Sequence, residues 1–99
     1  MPNAIAVYVN GALYTQSPLI PGETITISQE GGTENVIRMT EDGFHMERST
    51  CKGQDCIQQG EVTYANWYRR ALGDAVICLP NRVEVRLLVD KTQADAPDV

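Results

Sequence analysis

The chain has 99 residues, a net charge of -5, and 42% hydrophobic against 21% charged residues, the balance of one globular domain rather than a disordered segment. No Lys/Arg cluster is present to displace counterions from phosphates, so nucleic acid is excluded as a partner. No apolar run approaches the roughly 20 residues that cross a bilayer, and no cleavable leader is recognisable. Met1-Pro2-Asn3 leads almost at once into a strand-like segment. That start fits a cytosolic protein or a piece cut just downstream of a targeting segment.

Ala4 to Val9 is short, β-branched and apolar, and Ala12-Leu13-Tyr14-Thr15 follows across Asn10-Gly11. That dipeptide tolerates two positive φ angles in succession, which predicts a tight type I′ hairpin. Pro18, Pro21 and Gly22 then interrupt the ladder. Thr24 to Ser28 alternates with period two, placing Ile25 and Ile27 on one face. After a break at Gly31-Gly32, extended character resumes over Asn35 to Met39. Glu41-Asp42-Gly43 carries a second hairpin-type signal, and Phe44 to Arg48 returns with Phe44 and Met46 inward and His45 and Glu47 outward.

Ser49 to Gly60 differs, with two cysteines, two glycines and no alternation. Its end, Cys56 to Gly60, predicts one helical turn stopped by Gly60 in the left-handed conformation. Val62 to Leu72 gathers Tyr64, Trp67 and Tyr68 beside Arg69 and Arg70 and reads as a loop with a short helix. Asp74 to Leu79 is almost continuously apolar and is expected to be buried on both faces. Pro80-Asn81 makes a turn, and Arg82 to Leu87 alternates with Val83, Val85 and Leu87 inward. The acidic end, 90–99, has little to bury and is expected to be a flexible tail. About seven strand segments with one or two short helical turns predict an all-β domain over 4–89, a small antiparallel β-barrel or sandwich.

Cys51, Cys56 and Cys78 carry most of the chemical information. An odd count allows one internal disulfide at most. Closing Cys51 to Cys56 would stabilise by ~2 kcal/mol and Cys56 to Cys78 by ~3.4 kcal/mol in the chain-entropy treatment. Cys78, mid-strand among Val76, Ile77 and Leu79, also reads as a small buried hydrophobe. A four-ligand zinc site would have to recruit His45, a strand residue, to the three cysteines, and the C-x4-C spacing is loose for a zinc knuckle. No C-x-x-C pair in a βαβ setting points to thioredoxin chemistry. No metal and no cofactor is therefore expected. His45 is the one histidine and has no assignable nucleophile partner, while the acidic residues fall in turns or on outward positions, so the chain is expected not to be an enzyme. Tyr64, Trp67, Tyr68, Arg69 and Arg70 have the composition of an interaction surface for a protein or small ligand, the alternative being that Trp67 covers an open end of the sheet.

Tyr8-Val9-Asn10-Gly11, Pro18-Leu19, Thr24-Ile25, Asn35-Val36-Ile37 and Asp42-Gly43 together resemble the NusG domain II family. So does Ser49-Thr50-Cys51 followed by Cys56-Ile57-Gln58-Gln59-Gly60, and above all Val76-Ile77-Cys78-Leu79-Pro80-Asn81 ahead of an alternating strand. Members usually carry a proline after the first cysteine; here the residue is Lys52. The resemblance implies a compact β fold and carries no particular biochemical activity with it. It further implies an extracytoplasmic domain that reaches the bacterial membrane only through an anchor outside this chain. An oxidising compartment would favour a disulfide among the cysteines. The expected function is a non-catalytic binding or interaction domain, and the alternative is a thiol-redox or metal-responsive domain.

Overall fold

The computed structural model describes residues 3–89. Eight strands form two antiparallel four-stranded sheets. In chain order they are β1 (Ala4–Val9), β2 (Ala12–Pro18), β3 (Thr24–Ser28), β4 (Glu34–Met39), β5 (Gly43–Ser49), β6 (Val62–Thr63), β7 (Ala75–Cys78) and β8 (Val83–Leu87). One short helix, α1 (Asp55–Gln58), and two 3₁₀ turns, Glu30–Gly32 and Trp67–Arg69, complete them. The first sheet runs β2-β1-β8-β7 and the second β3-β4-β5-β6, so each keeps two edges. The molecule is a sandwich, and the barrel alternative falls away because the sheets do not close on each other.

Register explains the core. Ile5, Val7 and Val9 of β1 stand opposite Leu87, Val85 and Val83 of β8, and Val85 in turn stands opposite Val76 of β7. Facing them, Ile25, Ile37 and Met46 form one row across β3, β4 and β5. Period-two alternation puts these rows on the inner faces, where burial of each aliphatic side chain contributes about 1.5–3 kcal/mol. Ile5, Val7, Ile37, Phe44, Val76 and Val85 are fully buried together.

The first hairpin follows its turn chemistry: Asn10 has φ 54° and Gly11 φ 83°, and Val9 pairs with Ala12. Gly60 likewise ends α1 at φ 79°. Gly43 differs. Its φ is not positive; it lies where β6 crosses β5, and a Cβ there would sit 1.8 Å from the Val62 carbonyl oxygen. The short strand β6 pairs Thr63 with Gly43 and Val62 with Phe44, so the stretch read as loop and helix also adds a strand.

The expectation that Asp74 to Leu79 is buried on both faces holds over Asp74, Ala75, Val76 and Cys78 and is corrected at the end of the segment: β7 is an edge strand, Ile77 is half-buried and Leu79 is 78% exposed. Its continuous apolar run reflects a turn residue left in solvent rather than a central strand. The tail expectation at 90–99 lies outside the described residues. No helix among the described residues is long and apolar enough to cross a membrane.

Candidate thiol site

A β-bulge in β5 sets up the site. Ile37 pairs with Met46 but Val36 pairs with Arg48, which leaves Glu47 as the extra residue. An inserted residue reverses the in/out phase of the strand beyond it. Phe44 and Met46 therefore face inward, yet at the end of the strand Ser49 faces inward instead of Arg48, opposite the fully buried Asn35. Arg38 accommodates the bulge outside, gripping Glu47 with two hydrogen bonds, Nε to Oε1 and Nη2 to Oε2.

The chain then turns so that Cys51, just past β5, and Cys56, in α1, approach Cys78 at the end of β7. All three are buried free thiols, and their sulfurs lie within 4.8 Å of one another. The Cys51 and Cys56 sulfurs are 3.5 Å apart. The triangle joins the two sheets, since Cys78 belongs to the first and Cys51 and Cys56 hang from the second.

Ser49 organises it. Its Oγ accepts hydrogen bonds from the Cys51 N–H at 3.1 Å and from Asn35 Nδ2 at 3.1 Å. The Cys78 sulfur lies 3.7 Å from the same oxygen, within hydrogen-bond reach with either group as donor, and Asn81 Nδ2 approaches it at 3.5 Å. Asn35 Oδ1 accepts from Asn81 Nδ2 at 2.9 Å, and Gln29 Nε2 donates to the Asn81 carbonyl at 2.8 Å. The cysteine loop is clamped by Gln54, whose Nε2 donates to the carbonyls of Ser49 and Cys51.

The thiols are unequal. Burial acts to raise Cys51, but hydrogen bonds from Ser49, from the Cys56 and Cys78 thiols and from the Gln54 backbone outweigh it and hold Cys51 below its usual 9.0. Burial pushes Cys56 up to about 12, against a hydrogen bond with Ser49 and with reinforcement from Cys51. Chemically the group can close a disulfide, exchange thiols or coordinate a soft ion.

His45 does not join. It occupies an outward position opposite Arg38 and stands outside the thiol group, so the four-ligand zinc set is not assembled. The aromatic segment divides in two. Tyr64 turns inward, donating from its hydroxyl to the Leu88 carbonyl at 2.8 Å and accepting from the Ala4 N–H at 3.3 Å. Arg70 ties the segment to the carbonyls of Gly73, Ala75 and Gln59. Trp67 packs partly against the core and meets Tyr68 edge to face, centroids 6.1 Å apart, while the Arg69 guanidinium stacks 5.6 Å from the Tyr68 ring. Tyr68 is 63% exposed.

Ser49, Asn35, Asn81 and Gln54 do not stand out as site residues in the sequence. The available signal is phase: Asn35 shares the period-two register of Ile37 and Met39, which places an amide at a core position.

Fold and site together define a two-sheet β-sandwich sutured at one corner by three thiols. The chain belongs to the NusG domain II family, whose model matches residues 2–91. It is similar in structure to a DUF1312 family protein from Enterococcus faecalis V583, with TM-score 0.74 at 14% identity over 89% of this chain and 98% of that one. It is similar also to the Lin0431 protein from Listeria innocua, with TM-score 0.71 at 22% identity over 88% and 95% of the two chains. A DUF1312 family protein from Ruminococcus gnavus ATCC 29149 aligns with TM-score 0.63 at 29% identity over 88% and 99%. No curated protein matches the sequence.

Proposed function

We propose that this chain is a non-catalytic binding module, displayed outside the cytoplasm and tethered to the bacterial membrane by another part of the full-length protein. The observation that carries the reading is the Trp67–Tyr68–Arg69 cluster. One ring is footed in the core, the next stands 63% exposed, and a guanidinium is stacked on it. Aromatic and Arg side chains already held in place lose little freedom when a partner covers them. Family membership supports the compartment. The separation of His45 from the thiols supports the non-catalytic reading, since no histidine or carboxylate joins them among the described residues. A photo-crosslinking amino acid at Tyr68 in the full-length protein, expressed in its own host, is expected to give a discrete adduct. The same probe at exposed Glu41 is the control. No adduct at Tyr68, or the same adduct at both positions, would overturn the reading.

A thiol-redox role is the second reading, favoured by the 3.5 Å approach of the Cys51 and Cys56 sulfurs. Counting free thiols in denaturant without reductant discriminates: a single free thiol supports the pair, and three oppose it. A structural disulfide should have a potential below about −300 mV and a responsive one a higher value.

A further inference from the structure

We propose that Cys51, Cys56 and Cys78 form a three-thiolate site for one soft monovalent cation, of which Cu(I) is the natural occupant. The inference goes beyond both readings above and rests on the thiol triangle alone. Three sulfurs arrive from three separate segments, the loop after β5, α1 and the end of β7, and converge within 4.8 Å of one another. Metal–sulfur bonds of about 2.3 Å put three ligands around one ion about 4 Å apart. The triangle already has that scale, its Cys51–Cys56 edge being 3.5 Å. A disulfide, by contrast, needs about 2.05 Å, so one edge would have to contract by about 1.5 Å and the third thiol would be left over.

The donor set selects the ion. Thiolate sulfur is soft and takes Cu(I) in preference to hard cations, and no carboxylate or imidazole joins the group to recruit Ca²⁺ or Mg²⁺. Structural zinc is held four-coordinate, and no fourth His, Cys, Asp or Glu completes the set among the described residues. Three-coordinate Cu(I) has no such need. Burial of all three sulfurs limits access of dioxygen and of competing water ligands to the ion. Around them lie the partners that orient ligands at metal sites: the Ser49 hydroxyl 3.7 Å from the Cys78 sulfur, and the Gln54 amide holding the Cys51 loop through its carbonyl at 2.5 Å. Binding releases the thiol protons to solvent and changes no oxidation state.

The test is anaerobic titration of the reduced chain with Cu(I) against a competing Cu(I) chelator, followed by sulfur-to-copper charge-transfer absorption. The expected result is one ion per chain, with Cys51→Ser, Cys56→Ser and Cys78→Ser each lowering affinity at least tenfold while circular dichroism stays native. Loss of native dichroism in a variant shifts the decision to X-ray absorption at the copper edge of the wild type, where three sulfur neighbours are expected. No chelator-resistant binding, two sulfur neighbours, a nitrogen or oxygen neighbour, full affinity in Cys78→Ser, or Zn²⁺ held as tightly as Cu(I) would each overturn the site. These outcomes are independent of the Tyr68 adduct, whereas a single free thiol in denaturant would count against the three-thiolate site in the isolated protein as it supports the disulfide.

Discussion

Gln59 pairs with Ile77 as a strand residue would: its Nε2 donates to the Ile77 carbonyl and its Oε1 accepts from the Ile77 N–H, each at 2.8 Å. A side chain thereby occupies part of the outer edge of β7, an edge that otherwise invites pairing with another chain. Gln59→Ala removes both bonds and should cost about 2 kcal/mol, the net worth of two ordinary hydrogen bonds. The midpoint of urea unfolding measures that cost. Light scattering at raised concentration should show the exposed edge as self-association.

Asn35 and Asn81 form a buried amide pair. Asn81→Ala should destabilise by about 1–3 kcal/mol because the buried Asn35 Oδ1 loses its donor, and Asn35→Ala by a similar amount because Asn81 Nδ2 keeps only the longer contacts to Thr50 Oγ1 at 3.4 Å and Ser49 Oγ at 3.5 Å. The double variant should cost clearly less than the sum of the two singles, since the bond they share is lost only once. Additive losses in a double-mutant cycle would mean that the amides act separately.

Gly43 should refuse even one methyl group. A Cβ there would stand 1.8 Å from the Val62 carbonyl oxygen, and the backbones that carry the two atoms are held in paired strands. Gly43→Ala is expected to cost about 3 kcal/mol, at the upper end of overpacking effects. Gly53→Ala, whose nearest neighbour is the Asp55 side chain at 3.4 Å, should be much milder. Thermal unfolding of the two variants compares them directly.

The Arg38–Glu47 pair predicts an acid-side dependence. The Arg38 hydrogen bond holds the Glu47 carboxyl below its ordinary 4.5, with burial opposing. A carboxyl depressed in the folded state contributes stability above its unfolded pKa, and that contribution fades as pH falls through the folded one. Stability measured from neutral pH down past 4.5 should therefore fall less steeply in Glu47→Gln than in wild type. Both groups are exposed, so the difference should be small and should shrink in high salt.

Strands and hairpins were legible because local rules state them. Asn10-Gly11 specifies its turn through two positive φ angles, and Val83, Val85 and Leu87 face inward by simple alternation. β6 was not legible: its two residues have no pattern of their own and become a strand only because Gly43 lets the chain lie close against β5. At the site, the cysteines announced themselves by type, and their convergence depends on sheet packing that no local window contains. Ser49 was hidden by the bulge. Uninterrupted alternation from Phe44 points Arg48 inward, and only the unpaired Glu47 hands that place to Ser49. Asn81 was named as a turn residue, whereas its amide lies buried against Asn35.

The bulge at Glu47 has a consequence for how this segment can vary. Were the bulge closed with the strand at its present length, Glu47 would stand opposite Val36 and Arg48 opposite Asn35, turning the Arg48 guanidinium toward the sulfurs, whereas deleting Glu47 would keep Ser49 opposite Asn35. A substitution at Glu47 forfeits only a solvent-side grip on Arg38. What this stretch must keep is the register that sets Ser49 against Asn35, and a slip of one place would unmake the sulfur corner where the loss of the bulged residue would not.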